Sequence, residues 1–258
     1  VYHDVPRAVA LDLMKAKAVR QMPVLDFEGR VVGLHLFTEI IGSLNLPNIV
    51  VIMAGGKGTR LRPITEAIPK PMVRVAGRPI LEHIILHLAS SNLREIFLAV
   101  NYKSEIIEHH FGDGSAYGCR IQYLREEIPL GTAGALGLLP VRPTEPFIVM
   151  NGDLVTQFDV ERLLHHHAEG NYAITIGVHN YRVDIPYGVI GLNDDGTEVT
   201  ELIEKPSRHF LVNGGIYVVN PELLDLIRPS EEITMVMFIE RALSSKKKVG
   251  IHLVEGDW

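Results

Sequence analysis

Ala54-Gly55-Gly56-Lys57-Gly58-Thr59-Arg60-Leu61-Arg62-Pro63 closes an apolar run over 49–54, and this junction decides the fold. An apolar, β-branched run of that length reads as a buried strand. A buried strand that runs into glycines is how a phosphate cradle is built. With no Cβ atoms the backbone bends sharply and offers successive N–H groups to anionic oxygens. Lys57, Arg60 and Arg62 add positive charge around Gly55, Gly56, Gly58 and Thr59. Two familiar phosphate loops do not fit. A Walker A loop needs Ser or Thr after its Gly-Lys pair, but Gly58 follows Lys57. A dinucleotide fingerprint needs glycine or alanine three residues after its second glycine, where Leu61 stands. Spacing alone leaves a different phosphate cradle or a surface turn.

Beyond the loop, strand-like runs at 96–100, 121–124 and 147–150 alternate with helical patterns at 79–91, 104–111, 133–139 and 160–167. That alternation predicts an α/β domain with a mostly parallel sheet flanked by helices. From 171 onward the runs shorten and turn strand-rich, at 173–178, 188–192, 199–203 and 216–219, with a last apolar run at 249–254. They predict an antiparallel or mixed extension over one end of the sheet. Before the loop, 1–43 reads as a helix carrying Val9, Leu13, Met14 and Val19, then strands at 22–26 and 31–34 joined at Glu28-Gly29, then a short helix from Thr38. About 40 residues is the usual lower limit for an independent core, so this unit calls for a partner surface. The turn-rich stretch 42–48 marks the boundary.

In 258 residues, 31 acidic side chains against 25 basic ones leave a formal charge of −6. That balance argues against a nucleic-acid partner, which needs a basic face. No apolar stretch approaches the roughly 20 residues of a membrane helix and no signal sequence opens the chain, so no membrane partner is expected. Cys119 is the only cysteine, which excludes an internal disulfide or a cysteine-built zinc site and suits a reducing, cytoplasmic setting. The chain opens on Val1 rather than Met and stops at Trp258 after a strand-like run, so continuation is expected at both ends.

Four further stretches bear on chemistry. Pro69-Lys70-Pro71-Met72 holds one lysine on an extended, pre-organised backbone. Asn151-Gly152-Asp153 lies at the carboxyl end of a strand, the edge where open α/β sheets bind ligands. An aspartate there suits Mg²⁺, which takes one or two carboxylates and leaves its other positions to water and phosphate; it equally suits a helix cap. Gly131-Thr132-Ala133-Gly134-Ala135 is a small-residue turn that admits a flat ring, and Glu126 and Glu127 precede it. A carboxylate's two oxygens match the adjacent N1–H and N2–H₂ donors of guanine, which adenine lacks, although both glutamates also read as exposed strand ends. Finally Gly188, Glu204-Lys205-Pro206 and Asn213-Gly214-Gly215 offer hydrogen bonds for sugar hydroxyls and a charge for a phosphate.

The ordered set Gly55-Gly56-Lys57-Gly58-Thr59-Arg60-Leu61-Arg62-Pro63, Pro69-Lys70-Pro71, Leu130-Gly131-Thr132-Ala133-Gly134, Asn151-Gly152-Asp153, Glu204-Lys205-Pro206 and Asn213-Gly214-Gly215 resembles the sugar-1-phosphate nucleotidyltransferases, over about residues 48–258. The resemblance implies a Rossmann-like fold and the reaction of an NTP with a sugar 1-phosphate to give an NDP-sugar and pyrophosphate. By similarity, Ala54, Gly55, Gly56, Gly58, Thr59 and Arg60 hold the triphosphate and Lys70 contacts phosphate. Asp153 holds Mg²⁺, and Glu126 with Gly131 faces the base. Gly188, Glu204, Lys205 and Asn213 receive the sugar phosphate. Arg60, Lys70, Asp153 and Lys205 form the catalytic charge set. The family usually carries a second metal-binding aspartate shortly after a Trp like Trp258, expected in the continuation. The N-terminal unit resembles the second half of a CBS pair, with Leu36 and Glu39 where the nucleotide-binding form has Ser/Thr and Asp. This divides the chain into a partial CBS module at 1–45 and a C-terminally truncated catalytic domain at 46–258.

Two mutually repelling anions must meet in such a reaction, so charge neutralisation is its main requirement and orientation the second. No covalent nucleophile or general base is needed, because the attacking phosphate is already ionised. His109-His110 and His165-His166-His167 are therefore expected to pack or face solvent. A guanylyltransferase using GTP is the favoured expectation. Uridylyl, thymidylyl or cytidylyl transfer, a non-catalytic nucleotide-sugar-binding subunit of the same fold, and an adenylate sensor working through the CBS unit are the alternatives. A homo-oligomer, with the CBS unit as a docking module, is expected.

Overall fold

The computed structural model describes residues 1–5, 7–37, 45–156 and 158–254. Two compact units divide it, Val1–Leu46 and Pro47–Trp258.

In the smaller unit, α1 (Arg7–Ala16) precedes an antiparallel hairpin of β1 (Gln21–Leu25) and β2 (Val31–Leu36). Asp26 turns the hairpin rather than extending β1. Its Oδ1 accepts from the Glu28 and Arg30 N–H groups at 3.0 and 2.9 Å, and its Oδ2 from Arg30 Nε at 2.8 Å. Ala10, Met14 and Met22 are buried, while Val31, Val32 and Leu34 on β2 are exposed. The helix expected from Thr38, Glu39, and the first residues of the 42–48 boundary lie outside the described residues.

The larger unit is built on a seven-stranded sheet in the order β13-β9-β12-β8-β3-β6-β7. Its strands are β3 (Val50–Met53), β6 (Glu95–Val100), β7 (Arg120–Arg125), β8 (Phe147–Asn151), β9 (Ile174–Asp184), β12 (Ser207–Val219) and β13 (Val249–Leu253); β4 (Arg74–Val75) and β5 (Arg78–Pro79) pair apart from it, and α4 is Ser104–Phe111. β3 pairs in parallel with β6 on one edge and β8 on the other, β6 with β7, and β13 with β9. Only β12 runs against its neighbours β8 and β9. The continuous apolar runs of β3, β6 and β8 are buried nearly throughout, as strands covered on both faces require. Helices supply that cover. α3 (Ile80–Ser90) buries Ile80, Leu81, Ile84, Ile85 and Leu88, spaced by three and four residues to make one stripe. α6 (Val160–Glu169) is capped by Asp159, whose carboxylate accepts from Arg162 N–H at 2.9 Å. α7 (Met235–Ser244) is capped by Thr234 and buries Met235, Phe238, Ile239 and Ala242.

The chain departs from its sequence pattern in the turn after Leu130 and in the length of β9 and β12. The helix expected at 133–139 is a single turn, α5 (Gly131–Gly134), running into a 3-10 turn, Ala135–Leu138. The N–H groups of Ala133 and Gly134, which a first turn leaves without partners, bond to the Ile233 carbonyl at 3.0 and 3.2 Å, and the chain is already extended at Leu139. The runs at 173–178 and 216–219 are the inner ends of β9 and β12, which continue outward as one long ribbon. A register shift between Asn213 and Ile216 interrupts their pairing. A separate hairpin, β10 (Val189–Leu192) with β11 (Val199–Ile203), completes the strand-rich region, and every residue of β11 is exposed. Among the described residues no helix is long and apolar enough to cross a membrane.

The histidine run splits as its helical spacing requires. His167 is buried, its Nδ1 2.8 Å from Thr175 Oγ1 and its Nε2 2.9 Å from Asn220 Oδ1. His165 pairs with Glu169 at the surface, and His166 meets the Ile251 carbonyl at 2.8 Å. Burial pulls the pKa values of His87, His167 and His179 below the usual histidine value. The unfolded chain therefore binds protons below about pH 6.5 that the fold refuses, and stability falls as pH drops from there toward the folded values. Each such group contributes a slope of at most about 1.4 kcal/mol per pH unit. Thermal melts between pH 7.5 and 5.5 should show Tm falling with acidification, and His167→Gln should flatten that slope. An unchanged slope would mean that His167 binds protons alike in the folded and unfolded chains.

Candidate active site

β3, β6 and β8 deliver their carboxyl ends to one rim of the sheet, with the chain crossing to β6 on one side of β3 and to β8 on the other. This is the switch point at which open α/β sheets form a crevice. A cleft of about 540 Å³ opens there.

The loop after β3 makes its first wall. Gly58 sits in the left-handed region, at φ 58° and ψ 33°, and a methyl group there would come within 2.9 Å of both Lys70 Cβ and Thr65 Cγ2. Glycine is the one residue that meets both conditions. The Thr65 hydroxyl donates to the Gly58 carbonyl at 2.8 Å from α2 (Ile64–Ala67). Gly55, Gly56, Thr59 and Arg60 line the cleft with Gly58, whereas Lys57 and Arg62 are exposed and do not. Ala54 lies beneath, buried, its N–H bonded to the Ala99 carbonyl at 2.8 Å.

Glu126 forms the opposite wall, just past β7. Its N–H donates to the Val100 carbonyl at 3.0 Å, and its own carbonyl accepts from Asn101 Nδ2 at 2.6 Å. One carboxylate oxygen accepts the Leu130 N–H at 2.8 Å. The other would lie 3.0 Å from a methyl placed on Gly55, so the two walls nearly touch. Burial pushes the Glu126 pKa up, and the Leu130 N–H partly offsets this. Gly131 and Thr132 continue this wall, while Glu127 is exposed and outside it.

The third side is polar and charged. Asp153 follows β8, and its carboxylate is ion-paired with the Lys70 ammonium, each side chain about a third exposed (30% and 34%). Asp153 is thus no helix cap, since Asp159 caps the helix that follows.

The other site residues from the sequence do not line this cleft. Gly188 and Glu204 are neighbours on the strand-rich extension, with 3.2 Å between a methyl placed on Gly188 and Glu204 Oε2. Lys205 Nζ lies 3.9 Å from Glu204 Oε1, and both side chains are exposed. Asn213 turns into its own strand irregularity, where Oδ1 accepts from the Gly215 N–H at 3.0 Å and the Tyr217 hydroxyl at 2.9 Å. Conversely, Asn101 lines the cleft although no sequence motif points to it, and Asn151 and Thr132 line it from motifs whose expected roles fell on Asp153 and Gly131. Position was the available signal for Asn101 and Asn151, since each ends or directly follows a parallel strand.

The nucleotidyl transferase family model matches residues 49–258. Mannose-1-phosphate guanylyltransferase of Mycobacterium tuberculosis is 34% identical over 190 residues, covering 72% of this chain and 52% of that protein. The catalytic subunit beta of the Dictyostelium discoideum mannose-1-phosphate guanylyltransferase is 32% identical over 213 residues, covering 81% and 59%. The chain therefore spans about half the length of these curated relatives. Among solved structures, HddC from Yersinia pseudotuberculosis matches with a TM-score of 0.60 at 24% identity, covering 80% of this chain and 90% of that one. A candidate glucose-1-phosphate thymidylyltransferase from Bacillus anthracis reaches 0.64 at 21%, covering 81% and 88%. These structures show the same α/β fold.

Gly58→Ala tests the loop. A left-handed alanine costs about 1–2 kcal/mol before its methyl meets Lys70 and Thr65, so calorimetric titration with a nucleoside triphosphate should show affinity at least about tenfold weaker. Wild-type affinity in the variant would remove the loop from the binding site.

Proposed function

The chain belongs to the nucleotidyl transferase family, and from that premise we propose that it transfers GMP from GTP to a sugar 1-phosphate, mannose 1-phosphate first among them, releasing pyrophosphate and a GDP-sugar. The observation that carries this is the convergence on one rim of a glycine loop with Arg60, the Lys70–Asp153 pair and the half-buried Glu126.

An oxygen of the sugar phosphate attacks the α-phosphorus of GTP in line with the departing pyrophosphate, forming one P–O bond as another breaks. The loop N–H groups and Arg60 take the negative charge of the triphosphate, and Lys70 neutralises an oxygen at the reacting phosphorus. Glu126 holds the guanine by its N1–H and N2–H₂. The oxygen that accepts the Leu130 N–H keeps a second lone pair for this, and that bond fixes the carboxylate's orientation. Asp153 fits a bound Mg²⁺. Asp153 would supply one carboxylate and the aspartate expected beyond Trp258 a second, with phosphate and water oxygens completing the shell, as this ion accepts. The Lys70 ammonium beside Asp153 shows that a cation is accommodated there. When bound, the ion supplies charge neutralisation to the triphosphate. Glu204, Lys205, Asn213 and Gly188 receive the sugar phosphate from the extension. The Val1–Leu46 unit is the half CBS module, a reading supported by its helix and hairpin.

Pyrophosphate release from the full-length protein, with Mg²⁺, the common NTPs and a panel of sugar 1-phosphates, is the direct test: absence of turnover with every pair rejects the reaction. Glu126→Gln should raise KM for GTP by about tenfold or more while affecting UTP and dTTP less. Equal loss for all bases would withdraw the guanine assignment. Asp153→Asn should lower kcat by about 10²-fold or more, the usual scale for losing one preorganised charge.

A further inference from the structure

The turn Asn101-Tyr102-Lys103, directly after β6, bridges the glycine-loop wall and the Glu126 wall of the cleft, yet nothing in the reaction above uses it. Asn101 Nδ2 holds the Glu126 carbonyl at 2.6 Å, and the Tyr102 N–H reaches the Gly55 carbonyl at 3.4 Å. Lys103 adopts a left-handed backbone, φ 52°, uncommon for a residue with a side chain and found where surrounding structure enforces it. Its ammonium donates to the Glu66 and Ala67 carbonyls at 2.7 and 3.0 Å. These are the last carbonyls of α2, which its own turn leaves without partners.

A four-residue helix does not hold itself together, and α2 buries only Thr65. Thr65 is 1% exposed, and its hydroxyl holds the Gly58 carbonyl at 2.8 Å, joining the Leu61 N–H that reaches the same oxygen at 2.9 Å from within the loop. The peptide plane is rigid, so fixing the Gly58 carbonyl toward Thr65 also fixes the Thr59 N–H in the opposite direction. Building on the nucleotide reading of the cleft, we propose that Lys103 and Thr65 are positioning residues for the phosphate loop. Lys103 anchors α2, α2 presents the Thr65 hydroxyl, and that hydroxyl sets the direction in which the loop's N–H groups meet the triphosphate. Neither residue touches the reacting atoms.

The test compares Lys103→Met and Thr65→Val, which keep side-chain bulk and lose the donor, with Lys103→Arg and Thr65→Ser, which keep a donor. Steady-state kinetics and calorimetry with GTP and Mg²⁺ on the full chain are the readouts. The donor-less variants should weaken GTP binding and raise its KM by about tenfold, leaving KM for the sugar 1-phosphate unchanged, and the conservative variants should recover most of the loss. Equal rises in both KM values, or a lowered Tm with unaltered GTP affinity, would overturn the proposal. So would failure of Arg and Ser to restore binding. A wild-type protein that binds no GTP would instead remove the nucleotide reading itself, and this proposal with it.

Discussion

β3 is hydrogen-bonded to parallel strands along both edges and buried on both faces, so its chain can leave only at the carboxyl rim of the sheet. Everything polar in the cleft follows from that exit. The parallel neighbours bring their own carboxyl ends to the same rim, which places Asn101 after β6, Glu126 after β7 and Asp153 after β8 around one loop. Antiparallel neighbours would have delivered these side chains to opposite rims. The one antiparallel strand, β12, joins only beyond β8, where it carries the chain from the core sheet into the exposed ribbon.

Local charge in the cleft differs from the overall balance of −6. Arg60 and Lys70 line it, and so do Glu126 and Asp153, two positive groups against two negative. The exposed Lys57 and Arg62 do not shift this count at close range. In the proposed reaction, attraction for the triphosphate would therefore rest on the direction of the backbone N–H groups and on neutralisation of Asp153, which the structure pairs with Lys70. A site that is near neutral when empty and built from paired charges keeps its cations desolvated only when a ligand arrives, the condition in which fixed charges act most strongly.

The alternation of buried strands and helices was legible because parallel strands need long apolar runs, and 49–54, 96–100 and 147–150 have no other use. The wall residues were legible where local chemistry is unusual: Gly58 between charges, Lys70 between prolines, Asp153 at a strand end. Thr65 and Lys103 carried no local signal, since their importance lies in carbonyls contributed by residues elsewhere in the fold. Lys57 and Arg62 show the reverse error, because residue type and nearness in sequence do not fix which side of a loop a side chain takes. α7 was readable in principle: Met235, Phe238, Ile239 and Ala242 repeat at helical spacing. The turn at 131–138 misled because small residues at helical spacing do not mark where an α turn tightens into a 3-10 turn and stops at Leu139.

β13 has a further consequence, for the order in which the protein can assemble. Among the described residues it comes last in sequence and pairs only with β9. The strands that surround the cleft come from one contiguous stretch, 50–151, so they can pair while the rest of the chain is still being made. β9 must then wait for β12 on one side and for 249–253 on the other. During synthesis its apolar inner half, from Ile174 to Val178, stands as an open strand edge, the feature most apt to pair with another chain. The half of the sheet that leads into the exposed ribbon is thus the half whose exposure is most hazardous, and β13 is the strand that covers the open edge of β9.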